Sequence, residues 1–308
     1  MAFQPEVHLP PASRDKWERG PSLSQHNLAE SPLFQEDALI ELLDRVPKEN
    51  LFALHMGHDP ERNSENRLAL HDGLSGKDLF RAVQNGRLWL NVTRIDLCAD
   101  RYRDLAHEIY GKLMAQLPGW SAQITTVTLL VSSPNALVYY HVDGPASLLW
   151  HIRGQKRIWI YPIEERLIRQ TDLEDIFAGV AHEYIPYRND FDAGAQCFEL
   201  TPGTLASWPP NSPHRVTNGD SLNVSLSTEH FTPAHRRKAR VYRANRMLRQ
   251  TLGLNNLGTD AGGVRALAKQ AVLVAATRAG IGLPATQSKR HVPAFRVEPD
   301  APGGVVPL

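Results

Sequence analysis

The sequence predicts a mainly β chain with flanking α-helices, and three observations carry that prediction. Runs rich in β-branched residues with period-2 alternation recur between Ile124 and Phe231, separated by Gly, Pro and Asn turns. Apolar stripes at helical spacing stand on both sides of them. Within the β region His141 and Asp143 lie two apart, so on a strand both side chains point to one face.

Composition sets the outer bounds. With 308 residues, 42% hydrophobic and 22% charged, the chain has the make-up of an ordinary soluble globular protein. A net charge of +1 argues against a general nucleic-acid or membrane binder. The two cysteines, Cys98 and Cys197, form no C-x-x-C and fit a reducing cytoplasm, where the protein is expected. The N-terminal residues lack the basic and apolar regions of a signal peptide, and no stretch approaches the roughly twenty apolar residues of a membrane span.

Taken in order, residues 1–30 are rich in Pro, Ser and charge and read as an extended arm that Phe3 and Trp17 anchor. Ser31-Pro32 reads as an N-cap with Pro at N1, opening a helix with the stripe Leu39, Ile40, Leu42, Leu43 and Val46. Phe52 to Met56 is a short strand, and the nearby His55, His58 and Asp59 read as loop and surface groups. Ser75 with Asp78 resembles a capping box for a helix that Gly86 stops. Arg87 to Ile95 alternates, with Trp89 and Asn91 on one face, and Tyr102 to Leu117 is a helix ended by Pro118-Gly119.

Ile124 to Ser132 begins the main β region, with Thr126 and Thr128 sharing a face. After a turn at Ser133–Ala136, Leu137 to Asp143 returns as the strand bearing the His-x-Asp pair. Ser147, Leu149 and His151 continue the alternation, Gly154-Gln155 turns, and Lys156 opens the strand Lys156 to Tyr161. A lysine at the start of a buried aromatic strand needs an anion to offset its desolvation.

Ile163 to Val180 is charged and helical in character. His182 to Gln196, with Tyr184, Tyr187, Arg188, Asp190 and Asp192, is a polar aromatic loop that either shapes a substrate mouth or connects through solvent. Gly203 to Pro210 reads as a strand entering a proline-rigidified turn, which delivers His214 at a strand end. Asn218-Gly219-Asp220 makes a hairpin turn, and Ser221 to Phe231 places Asn223, Ser225, Ser227 and Glu229 on one polar face suited to a hydrated pocket.

Ala234 to Leu252 carries Arg236, Arg237, Lys238, Arg240, Arg243, Arg246 and Arg249 opposite an apolar stripe, and reads as a helix with a solvated cationic face. Val264 to Ala279 is apolar around much of its surface. Such a helix buries itself against the preceding one or against another subunit. The residues after Gly282 are Pro-rich and read as a mobile or wrapping tail.

With His214, the His141–Asp143 pair becomes two imidazoles and one carboxylate, the facial set that holds non-haem Fe(II) and leaves positions open. An isolated His-x-Asp means little in a chain with thirteen histidines. The surrounding pattern gives it weight. His-x-Asp, then I-R-G-Q-K-R with the lysine fifteen residues after the first histidine, a strand ending in Y-P, and P-G-T-L-A-S-W-P-P-N-S-P-H resemble the JmjC and cupin-like 2-oxoglutarate oxygenases. They are most similar to the branch containing the asparaginyl hydroxylase that inhibits the hypoxia-inducible factor, and the match spans roughly Gln123 to Phe231.

That resemblance implies a double-stranded β-helix (cupin or jelly-roll) barrel with N-terminal helices and a C-terminal helical pair. It divides the chain into the arm, an oxygenase domain over 31–232, a helical region over 233–282 through which two copies pair, and a tail over 283–308. His141, Asp143 and His214 would bind Fe(II), and Lys156 would pair with the distal carboxylate of 2-oxoglutarate. The implied reaction uses O2 to hydroxylate a C–H bond of a peptide, amino acid or other small polar substrate, releasing succinate and CO2.

The chain departs from the family at Val138, where a threonine three residues before the first histidine helps hold the cosubstrate. Thr128, Ser147, Tyr139 and Tyr140 are the candidate replacements. His151 is a cosubstrate contact, a hydrogen-bond support or a filler of the barrel wall, and Trp89 and Asn91 are candidate pocket walls. Two rivals stand beside this reading: a cupin metalloenzyme that does not use 2-oxoglutarate, which Val138 keeps open, and a non-catalytic cupin-like binding protein.

Overall fold

A computed structural model describes residues 3–280 and 292–308. Eight consecutive strands between Gln123 and Phe231 are divided between two antiparallel sheets. Gln123–Ser132, Ala146–Arg153, Thr204–Ser207 and Asn223–Phe231 belong to a major sheet; Leu137–His141, Lys156–Ile160, Gln196–Leu200 and His214–Asn218 form a minor one. Seven short strands extend the major sheet to eleven. Among the described residues neither sheet closes on itself, so the mainly β expectation is met while a closed barrel is not seen. The chain changes sheet at its turns, and side chains rather than a continuous hydrogen-bond ladder join the two walls.

The major sheet is coated on its outer face. Val127, Leu129, Val131, Trp150, Val224 and Leu226 share one apolar core with residues of the helices Glu36–Arg45, Gly76–Asn85 and Asp100–Gln116. Each fully buried large side chain there contributes about 1.5–3 kcal/mol by leaving water. The expected capping box is present: Ser75 accepts from the Asp78 N–H while the Asp78 carboxylate accepts from the Ser75 N–H. Ser31, expected to cap a long helix, instead caps the single 3-10 turn Pro32–Phe34; the helix begins at Glu36, where the acids Glu36 and Asp37 favour its first turn.

The N-terminal segment is folded onto the domain. It contains the helix Pro11–Lys16, and Ser22–His26 pairs with Thr204–Ser207 at the edge of the eight-strand core. Trp17 is buried, edge-on to Trp120. At the far edge Phe295–Val297 runs parallel to Arg67–Leu70, with Val305–Pro307 outside it, so the described part of the tail belongs to the sheet.

Thr232 accepts from the His235 N–H to cap the helix Pro233–Leu252, with Pro233 in its first turn and Gly253 in the left-handed conformation (φ +65°) at its end. The helix Gly263–Arg278 touches it through Leu273 and Ala276 against Ala244 and Met247. Val264, Leu267, Val272 and Val274 stay exposed, so the contact expected for this helix covers only part of its apolar surface. No helix among the described residues is long and apolar enough to cross a membrane.

Candidate metal centre

A cavity of about 830 Å³ opens between the two sheets and contains the predicted site. On the minor sheet His141 lies directly across from His214, and His214 across from Ile160. The pairing slips by one residue between His214 and Val216, a bulge beside the site of the kind that re-aims side chains. Asp143 follows the strand end, and its carboxylate stands 3.6 Å from His141 Nε2 and 3.5 Å from His214 Nε2. These separations are long for hydrogen bonds but suit ligands gathered around one ion. The ligand atoms of His141, Asp143 and His214 all lie within 4.8 Å of one another.

Both imidazoles are set in the tautomer a metal requires. His141 Nδ1 donates to the Tyr139 carbonyl at 2.7 Å and His214 Nδ1 to the Ser212 carbonyl at 3.2 Å, which leaves each Nε2 lone pair facing Asp143. Burial, reinforced by His141, lowers the His214 pKa to about 4, so the ring is neutral near pH 7. Trp208 packs against it with ring centroids 4.6 Å apart.

Lys156 lines the cavity at its other end, four residues along the strand from Ile160, or about 13 Å. It is 6% exposed and donates to Ser225 Oγ at 2.9 Å, with no carboxylate at ion-pair distance among the described residues. Burial lowers its pKa to about 7. An anion placed here would restore the charge that burial opposes.

The remaining predicted residues divide. Thr128, Trp89, Asn91 and Val138 line the cavity. Ser147 shares the inward face but does not reach the lining, and its buried hydroxyl has no partner among the described residues. The Tyr140 hydroxyl donates to the Leu167 carbonyl, and Tyr139 packs among Met56, Trp89 and Leu137. His151 is fully buried, its ring nitrogens engaged by Ser225 Oγ and the Gly154 carbonyl, so it props the serine that holds Lys156.

Sequence reasoning did not single out Asn211 or Glu183, and it placed Tyr184 only on a polar aromatic loop and Glu229 only on a polar strand face. Asn211 (φ +68°) donates its amide to the carbonyls of Asp143 and Gly144 at 3.0 and 3.1 Å, and its Oδ1 faces His235 Nε2 at 3.2 Å. It therefore ties the carboxylate ligand's backbone to the start of the helix Pro233–Leu252. Asparagine tolerates the left-handed conformation, and its place in P-P-N-S-P before His214 was the available signal. Tyr184 bridges to His141, and Glu183 accepts from the Gly144 N–H at 3.2 Å. Glu229 faces the cavity from the major sheet.

The loop carrying Glu183 and Tyr184 is followed by residues pinned beneath the minor sheet. Arg215 lies 3.7 Å from the Trp159 ring centre and pairs with Asp192, which also accepts from the hydroxyls of Tyr161 and Tyr187. A buried arginine pair of this type is costly to break from one side.

No family model matches the chain, and no curated protein does. Among solved structures, one of YcfD from Escherichia coli superposes with a TM-score of 0.53 at 15% identity, covering 94% of this chain and 71% of that one. A structure of YcfD, described as a ribosomal oxygenase, in complex with cobalt and 2-oxoglutarate gives 0.46 at 16% identity over 95% and 75%. Another, with cobalt and succinic acid, gives 0.43 at 15% identity over 95% and 75%. The first likeness shows a shared fold and bears out the sequence resemblance at that level.

Proposed function

We propose that this chain is an Fe(II)- and 2-oxoglutarate-dependent oxygenase that hydroxylates a C–H bond of a peptide, amino acid or other small polar substrate. The observation that carries the reading is the pairing, in one cavity, of a converging His141–Asp143–His214 set with a buried Lys156 that has no carboxylate partner among the described residues. Two imidazoles and one carboxylate, with both Nδ1 atoms engaged from behind, are a fitting donor set for ferrous iron. When bound, iron supplies the redox chemistry that couples O2 and the decarboxylation of 2-oxoglutarate to oxygen insertion, with succinate and CO2 as the other products.

The chain's own residues do the rest. Lys156, held by Ser225, receives the distal carboxylate as a point charge, and the hydroxyls of Thr128 and Ser227 stand on the neighbouring wall. Ile158, Val216 and Leu149 line the cavity between that end and the metal ligands with apolar surface, which strengthens the ion pair by excluding water. We read the eight alternating strands as the two walls of a double-stranded β-helix. We further place a second copy of the chain on the exposed apolar face of Gly263–Arg278, and light scattering of the purified protein tests that pairing.

Val138 favours one other reading, a metalloenzyme of the same fold that does not use 2-oxoglutarate, because no hydroxyl stands at that cavity position. The deciding experiment is Fe(II)-dependent conversion of 2-oxoglutarate to succinate without added substrate, compared with His141→Ala. Slow turnover that His141→Ala abolishes supports the oxygenase; turnover that survives the substitution contradicts it.

A further inference from the structure

The net charge of +1 conceals a separation of charge along the chain. Residues 1–232 hold 30 acidic and 21 basic side chains, whereas residues 233–278, the two C-terminal helices and their connection, hold ten basic side chains and a single acid, Asp260. One element pair thus carries the cationic excess that the whole composition cancels.

The helix Pro233–Leu252 sorts its arginines by face. Arg246 and Arg249 face the helix Gln170–Ala178 and pair with Asp175 and Glu174. Arg236, Arg237, Arg240 and Arg243 share a different stripe, and among the described residues none of the four meets a carboxylate at ion-pair distance. Arg237, Arg240 and Arg243 are exposed; Arg236 is half-buried, donating to Gln123 Oε1 at 2.7 Å with its guanidinium 5.5 Å from the Phe231 ring centre. From Arg236 to Arg243 the row runs about 10 Å along the helix. Like charges at these spacings repel, so the row costs the helix stability that an anion lying along it would return.

A depression of about 480 Å³ adjoins the row. Arg236, Arg237 and Arg240 form one wall, and Gly262, Gly263 and Gln270 at the start of the helix Gly263–Arg278 form the other. That helix has no acid in its first turn and no side-chain cap, so its N-terminal N–H groups add to the positive potential of the arginines. Asp260 accepts from the Gly262 N–H at 2.9 Å. The depression shares no lining residue with the metal cavity.

We propose that this arginine row and the depression beside it bind the phosphate backbone of a nucleic acid. Eight of the ten cations in 233–278 are arginines, whose planar fork meets phosphate oxygens two at a time, and a row on one straight helix suits the regular charge of a backbone. An anionic membrane calls for an apolar face among the cations, yet between Pro233 and Gln250 the helix exposes no large apolar side chain. Phe231 lies under Arg236 and Tyr242 is buried, so no ring stands ready to stack on bases and the contact is independent of sequence.

The test measures fluorescence anisotropy of labelled strands of about 20 nucleotides, as single-stranded RNA, single-stranded DNA and duplex DNA, with the full chain. Binding to at least one is expected, the tightest identifying the nucleic acid, with affinity falling about 20–50-fold between 50 and 200 mM salt as three or four phosphate contacts are screened. Arg240→Gln with Arg243→Gln is expected to weaken binding about tenfold or more and to lower the slope of log affinity against log salt by about 1.4, with far-UV circular dichroism unchanged. Arg45→Gln with Arg103→Gln removes the same charge from exposed sites on other helices and is expected to change affinity less than about twofold. No binding at 50 mM salt, equal losses in the two double variants, or binding that Arg240→Gln with Arg243→Gln leaves intact overturns the proposal. So does tighter binding of poly-glutamate or of phosphatidylserine–phosphatidylcholine vesicles, which would make the surface one for acidic proteins or for membranes. The salt dependence and these competitors are read on the wild-type chain and decide even if a variant misfolds.

Discussion

Lys156 and Glu229 occupy opposite ends of one cavity and are held in opposite ways. Lys156 is sealed among apolar side chains and fixed by Ser225, which His151 in turn fixes. Glu229 is partly open to the cavity, and its neighbour Glu183 sits on a loop. A closed, cross-braced end suits a partner that never changes, such as a small dicarboxylate. An open end partly made by a loop suits the partner that sets specificity.

The largest expected effect lies between these ends. His214→Ala or Asp143→Asn should lower Co(II) affinity by more than about 100-fold, followed by visible absorption of the cobalt complex, since even residues that only orient metal ligands are worth 10–100-fold. Retained affinity would place the metal elsewhere. At the cationic end, Lys156→Ala should weaken 2-oxoglutarate binding at least about 30-fold by calorimetry, the scale of losing one member of a buried charged pair. Asn211→Ala should cost about tenfold in metal affinity with far-UV circular dichroism unchanged, because it frees the Asp143 backbone without removing a ligand.

The pH dependence of stability separates the ends further. The folded-state pKa of Lys156 is lowered from 10.5 to about 7 by burial, so between these values the unfolded chain binds more protons. Its contribution is therefore most favourable above about pH 10.5 and is lost as pH falls through 7. Glu229 is shifted up, to about 8, so its contribution is present below its ordinary carboxyl range and lost as pH rises through 8. Relative to wild type, Lys156→Met should gain stability as pH falls from 10 to 7, and Glu229→Gln should gain it as pH rises from 5 to 8; thermal melts across pH measure both. Matching profiles for the two variants would erase the contrast. The smallest effect is expected from Val138→Thr, which restores a hydroxyl at the cavity wall and should tighten 2-oxoglutarate about threefold by the same calorimetry.

The centre of this site was legible because its chemistry sits on regular strands. Period 2 puts His141 and Asp143 on one face, a turn delivers His214, and a lysine opening an aromatic strand stands out against its surroundings. The edges were not legible. Val7–His8 and Phe295–Val297 are too short to show alternation, and they take strand form from pairing with distant partners. The cavity positions of Glu183 and Tyr184 depend on a loop placed by contacts far apart in sequence. Ser147 and Leu149 share a face, yet only Leu149 reaches the cavity, a distinction that alternation alone does not make.

The most direct test of the central claim is an anaerobic titration of the Fe(II)-loaded protein with 2-oxoglutarate, observing the visible charge-transfer band that a chelated 2-oxo acid gives with ferrous iron. The account predicts a saturable band that Lys156→Ala weakens. A protein that holds iron tightly yet shows no band at any concentration would contradict it and leave a metalloenzyme that works without 2-oxoglutarate.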